Sequence, residues 1–229
     1  MKIYSIVLSI SYMLISMATS YAQVDYKHQV KIDIHNFNQV YSKQEIQDEL
    51  ARTQAYLDKC QIRLNIQSYY ESTNPDFMEW ETYWFNSDVI TSFENILEKP
   101  EYKKNVNIIF LDSINWTIRG QGTWAIAYAS YLAKDLPPTD VQYFKDHLQG
   151  SIVMGRYRAR WTLAHELGHL LFGLRHIPDA RNVMHTGTGF HSPEFDSEGL
   201  YITNRRVLFT QEQCDEGIIN GEYLEELNY

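Results

Sequence analysis

The stretch TLAHELGHLLFGLRH at residues 162–176 sets three histidines and one glutamate among leucines. Polar groups this costly to bury interrupt an apolar segment only where something satisfies them. At about 100° per residue, Leu163, Leu167, Leu170 and Leu174 fall within about 60° of one another, which predicts a helix with a narrow apolar stripe turned to the core. His165 and His169 lie about 200° and 240° round from Leu163, so both imidazoles leave the opposite face together, with Glu166 to one side at about 300°.

Two imidazoles one helical turn apart suit two neighbouring positions of a tetrahedral zinc ion with bonds of ~2.0–2.1 Å. Glu166 has the wrong length and angle to be a third ligand, but it is well placed to hydrogen-bond a water on the metal. That is the geometry the spacing His-Glu-x-x-His encodes. The alternative is a core helix whose histidines bond only to backbone carbonyls. It leaves two neighbouring imidazoles and a carboxylate to be satisfied without a cation.

The segment resembles the metzincin clan of zinc peptidases, and within it the matrixin-like members, whose pattern H-E-x-x-H-x-x-G-x-x-H precedes a methionine turn. The matching residues are His165, Glu166, His169, Gly173 and His176, followed by Met184 in RNVMHTG. Gly173 to His176 keeps the family spacing, but Phe172 stands where the family already has glycine. A helix one residue longer, or a wider local turn, absorbs the extra residue.

The resemblance implies a zinc ion held by His165, His169 and His176, with Asp179, His185 and His191 as the other candidates for third ligand. It implies Glu166 as the general base that takes a proton from water and passes it to the leaving amine. Met184 becomes the apolar floor beneath the histidines. The fold it implies is α+β: a mixed twisted sheet of about five strands, an active-site helix, two or more further helices and a small C-terminal subdomain. An N-terminal subdomain would run to about 173 and the C-terminal one over 174–229, with a specificity pocket walled by roughly 185–203. The substrate would be a protein or peptide laid as an extended strand along an edge strand at 122–130. Ca2+ sites leave no readable pattern. Two rivals stand beside this reading. One is a thermolysin-like peptidase with Glu194 or Glu198 as third ligand, the other a secreted module that holds zinc for folding alone.

Further from the helix, the chain opens MKIYSIVLSISYMLISMATSYAQ, a lysine before a long uncharged run ending in small residues. This is the pattern of a secretory signal peptide. Ser20 and Ala22 predict a cut after Ala22, leaving 23–229 as a single catalytic domain that is secreted, periplasmic or held at the cell surface. The run 3–18 is short for a membrane span, so no stable anchor is expected. The cut removes Lys2 and no acid, taking the net charge from −9 to −10. That acidic balance argues against a nucleic-acid partner, whose phosphates need clustered Lys and Arg. The two cysteines, Cys60 and Cys214, either form a disulfide in an oxidising compartment or remain separate buried thiols. Asp25, in the short arm before the first strand, is a candidate to cap the zinc in a latent form.

Alternation at 30–34, alternation at 62–66 and a doubly buried run at 105–112 predict three strands, with further strands at 122–130 and 151–155. Ser42 and Glu45 form a capping box for the helix SKQEIQDELARTQAYLDKC. A helix is expected around 89–97 after an aromatic-rich segment, and TQEQCDEGIINGEYLEE at 210–226 resembles the closing helix of the clan. The paired prolines of KDLPPTD predict a loop. Asn115-Trp116-Thr117 matches a glycosylation sequon, a pattern too short to carry an assignment.

Overall fold

Val30, Ile32 and Ile34 alternate with Lys31, Asp33 and His35, and in the computed structural model this alternation becomes the central strand of the sheet. The structure describes residues 24–72, 79–81, 105–111, 113–115, 125–136, 138–155, 161–178, 182–185, 194–195, 201–202 and 209–227. In chain order the elements are β1 (His28–Phe37), α1 (Lys43–Leu57), β2 (Ile62–Ser72), β3 (Glu79–Glu81), β4 (Val106–Phe110), β5 (Ser113–Asn115), β6 (Ala125–Ala127), α2 (Pro138–His147), β7 (Ser151–Met154), α3 (Thr162–Phe172), β8 (Glu194–Phe195), β9 (Tyr201–Ile202), α4 (Gln211–Asn220) and β10 (Leu224–Glu226). Short 3-10 turns follow α1 at Asp58–Cys60 and precede α2 at Ser130–Asp135.

Among the described residues the main sheet has six strands. β1 lies parallel to β2 on one side. On the other, β10 runs antiparallel to its first residues and β4 parallel to the rest. β7 continues the parallel set beside β4, and β6 closes that edge antiparallel to β7. β4 is buried along its whole length, and its one polar residue, Asn107, meets His35 Nε2 at 3.0 Å. One face carries Val30, Ile32, Ile34, Ile108 and Ile152 against Ile46 and Leu50 of α1 and Leu163, Leu167 and Leu171 of α3. The other carries Phe37, Ile109 and Val153 against Phe144 and Leu148. The α+β class is therefore as expected, with a sixth strand added by the C-terminal segment.

Three local expectations are corrected. KDLPPTD is not a plain loop: its first residues close the 3-10 turn, and Pro138 opens α2. A proline is harmless there, because the N–H it lacks has no partner in a first helical turn. Among the described residues the edge strand is Ala125–Ala127 and ends short of 130, since the chain enters the 3-10 turn at Ser130, while 122–124 lie outside the described residues. The closing helix stops at Asn220, and Leu224–Glu226 turns back to pair with β1. Asn220-Gly221 supplies the break, a turn dipeptide inside an otherwise helical pattern. The leader 1–22, most of the aromatic-rich segment and the helix near 89–97 lie outside the described residues.

The capping box of α1 forms, with the Glu45 amide donating to Ser42 Oγ at 3.2 Å and the Ser42 amide to Glu45 Oε2 at 2.6 Å. Cys60, just beyond that helix, is bonded to Cys214 of α4 across a sequence separation of 154 residues, and both are buried. The bridge ties the α1 end of the sheet to α4, which packs on α3. Closing so long a loop restricts the unfolded chain, so Cys60→Ser/Cys214→Ser should lose about 2–5 kcal/mol of stability. Denaturant unfolding of the oxidised and doubly substituted chains measures this, and coincident midpoints would contradict it.

Candidate metal centre

α3 is buried on nearly every side. Every residue from Leu163 to Phe172 is buried except His165, which is half-buried. The narrow stripe expected from the leucine spacing is thus too modest a description. Leu171 and Phe172 are covered as well, because α4 packs on the flank that a two-layer arrangement would leave open. The extra residue has a job there. The Phe172 ring meets Phe209 edge-on at 5.2 Å and fills the space over Gly217, where a Cβ would overlap it.

The helix runs on through Phe172, and Gly173 then takes the left-handed conformation at φ 59°. Its N–H reaches back to the Gly168 carbonyl, which also accepts from the Leu174 amide at 3.4 Å. A bond back over five residues is wider than an α-helical turn, so the additional residue is absorbed by a longer helix and a widened last turn together. Only glycine enters that backbone region without a Cβ penalty.

Past Gly173 the chain folds back under the helix. Two carbonyls from irregular backbone then fix the first two histidines: His169 Nδ1 donates to Leu174 O at 2.6 Å, and His165 Nδ1 donates to Val183 O at 2.6 Å. With the protons committed at Nδ1, each Nε2 carries a bare lone pair. The three Nε2 atoms form a nearly equilateral triangle, with His165–His176 at 3.1 Å and His169 at 3.2 Å from each of the others. His165 and His169 therefore face each other as acceptors and do not bond, and a proton on His176 Nε2 could serve only one of them; a cation among the three satisfies all. Donors on a tetrahedral zinc ion with ~2.0–2.1 Å bonds stand about 3.3 Å apart, within a few tenths of these edges. The donor set therefore fits zinc. It is the one group of three or more such side chains brought together among the described residues.

Burial is the main cause of the site's electrostatics. It lowers His165 to about 4 and His169 to about 3, against the partial compensation of their carbonyl hydrogen bonds. His176 is also lowered, chiefly by burial and then by the charge of His185. The three rings are thus neutral at ordinary pH, as ligands must be. Glu166 is pushed up to about 8 by burial, opposed by a hydrogen bond from the Ala127 backbone. That bond ties its carboxyl to the edge strand β6.

Met184 is fully buried, and its thioether lies against Gly168, one residue before His169. His185 forms a single bridge with Ile177 beside the third histidine without joining the triangle. Asp25 is exposed next to Tyr26, which bonds Asp58, and it stands outside the group. Asp179, His191 and Glu198 lie outside the described residues, as does most of 185–203, while Glu194 falls in β8. With His176 closing the triangle, no downstream carboxylate is needed. The backbone of Ala127, Leu174 and Val183 left no mark in the sequence, since a carbonyl or amide serves with any side chain. Asn182, which accepts from the Met184 amide at 2.8 Å, was overlooked although it is a buried polar residue inside the NVM match.

No family model matches the sequence, and neither does any curated protein. Among solved structures the chain is similar to metalloproteinase-II from Bacteroides fragilis, at a TM-score of 0.50 and 14% identity over 88% of this chain. The chain spans 55% of that protein's length. It is also similar to archaemetzincin from Methanopyrus kandleri, at a TM-score of 0.43 and 14% identity over 84% of this chain and 95% of the other. At such identity the first likeness is one of fold.

The triangle predicts a single equivalent of zinc after dialysis. His165→Ala, His169→Ala and His176→Ala should each lose it, whereas His185→Ala and Glu194→Ala should keep it. Metal analysis decides, and zinc retained by His176→Ala would contradict the assignment.

Proposed function

We propose that this chain is a secreted zinc-dependent endopeptidase of the metzincin type. The convergence of His165, His169 and His176 Nε2 atoms at 3.1–3.2 Å, one residue from a buried glutamate, carries the reading. The spacing of Gly173, His176 and Met184 favours the matrixin-like subtype. The apolar leader and the Cys60–Cys214 bridge favour export, since disulfides persist in oxidising compartments.

A zinc ion held by the three histidines supplies a Lewis acid for a carbonyl oxygen and lowers the pKa of water towards ~7. The chain's own residues direct the rest. Glu166, which a cation beside it would hold ionised against the burial that raises it, would take a proton from the attacking water as the water oxygen bonds to the carbonyl carbon, and hand that proton to the nitrogen as the C–N bond breaks. The Ala127 amide aims the carboxylate, so its position does not depend on a mobile side chain alone.

Substrate would lie along β6. Tyr128 donates to Ser151 O at 2.9 Å while its own carbonyl accepts from the Gly150 amide at 3.1 Å, so both its backbone groups face the β7 side. By alternation, Ala125 and Ala127 turn their backbone groups away from β7. With the Ala127 amide taken by Glu166, an extended peptide would pair with the remaining main-chain groups there, a recognition mode that tolerates many side chains.

Glu166→Gln should therefore keep its zinc yet cleave peptide-library substrates about 10²–10⁴-fold more slowly. Equal cleavage by Glu166→Gln would remove the general-base role. A zinc-loaded parent that cleaves nothing in the library would leave the metal a folding role alone.

A further inference from the structure

His165 is oriented by the carbonyl of Val183, inside a tight turn closed by the His185 amide donating to Asn182 O at 3.1 Å. The neighbours of Val183 on both sides are held by side-chain amides. Asn182 Oδ1 accepts from the Met184 amide at 2.8 Å, while Asn182 Nδ2 donates to Gln213 Oε1 at 2.7 Å. Gln213 Oε1 also accepts from the Thr210 amide at 2.9 Å, and the Gln213 amide donates to Thr210 Oγ1 at 3.2 Å, the capping box of α4. Both amide side chains are buried, Asn182 at 2% exposure and Gln213 at 8%. The next residue along α4 is Cys214, bonded to Cys60. An unbroken sequence of short contacts thus leads from the disulfide and the start of α4, through two amides, to the carbonyl that sets the ring of a proposed ligand.

We propose that Asn182 and Gln213 are positioning residues of the metal centre: acting through the Val183 carbonyl, they fix the tautomer and orientation of His165 and so set the affinity for zinc. The inference rests on the reading of the three histidines as ligands. Two backbone bonds also anchor the turn, the Ile177 amide on Met184 O at 3.0 Å and the His185 amide on Asn182 O at 3.1 Å, and they hold the residues on either side of Val183, not Val183 itself. Removing the amide pair leaves the turn closed but no longer fastened to α4, so the Val183 carbonyl shifts and the His165 ring with it. Partners of this kind are worth about 10–100-fold in metal affinity.

The test uses the full chain and measures zinc dissociation constants by competition with a chelator, with the cobalt(II) absorption spectrum as a second readout. Gln213→Met keeps the volume but neither accepts nor donates, and should weaken zinc about tenfold or more while shifting the cobalt bands. Gln213→Glu keeps an oxygen for Asn182 Nδ2 and the Thr210 amide but loses the Nε2–H that Asn182 Oδ1 accepts at 3.3 Å, and should fall between Gln213→Met and the parent in both readouts. Should Gln213→Met fail to fold, Gln213→Asn, which keeps the amide but shortens its reach, is measured in its place. A merely structural role would lower the melting temperature of the metal-free chain without moving either readout. Parental affinity and spectrum in folded Gln213→Met or Gln213→Asn overturn the inference. Absence of zinc binding by the parent overturns instead the reading of the histidines beneath it.

Discussion

Three imidazole Nε2 atoms turned inward, 3.1–3.2 Å apart, are the constraint on which the rest of this structure depends. Left to themselves such groups would separate or turn a proton towards one another. The fold prevents both by taking the Nδ1 protons of His165 and His169 with backbone carbonyls at 2.6 Å. Burial then keeps the rings neutral, because an imidazolium has little water to stabilise it there. What remains is a small cluster of negative potential whose complement is a divalent cation.

Much of the surrounding architecture serves that cluster. The parallel strands β1, β4 and β7 give α3 an apolar platform, and α1 and α4 close its flanks. Phe172, the residue that separates this chain from the usual spacing, plugs the gap between α3 and α4 instead of disturbing the site. Gly173 then reverses the chain so that His176 can face its two predecessors. Met184 lies against Gly168, where any larger residue would push the turn away from the helix. The Cys60–Cys214 bond fastens α4, the element against which the helix and the turn both rest.

The helix, its histidine face and the core strands were legible in the sequence because each rests on periodicity. His165 and His169 at four-residue spacing must share a face, and the run at 106–110 can only be buried on both sides. The third ligand was legible only through resemblance, since nothing in spacing alone chose His176 over His185. Elements set by long-range contact were harder. Leu224–Glu226 is strand because β1 offers it an edge, whereas locally it reads as the tail of a helix. Pro138 opens α2 while its doublet suggested a loop. The carbonyls that orient the ligands, and the amide that holds Glu166, are backbone groups with no residue type to betray them. The capping box of α4 was readable as Thr210-x-x-Gln213, but the reach of Gln213 to Asn182 was not, because it joins residues 31 apart in sequence.

Zinc K-edge X-ray absorption of the purified, zinc-loaded chain tests the central claim most directly. The account predicts a first shell of three imidazole nitrogens and one oxygen donor at ~2.0–2.1 Å, with the multiple-scattering features of histidine rings. A shell containing sulfur, or one built from carboxylate oxygens with fewer than three imidazoles, would contradict it.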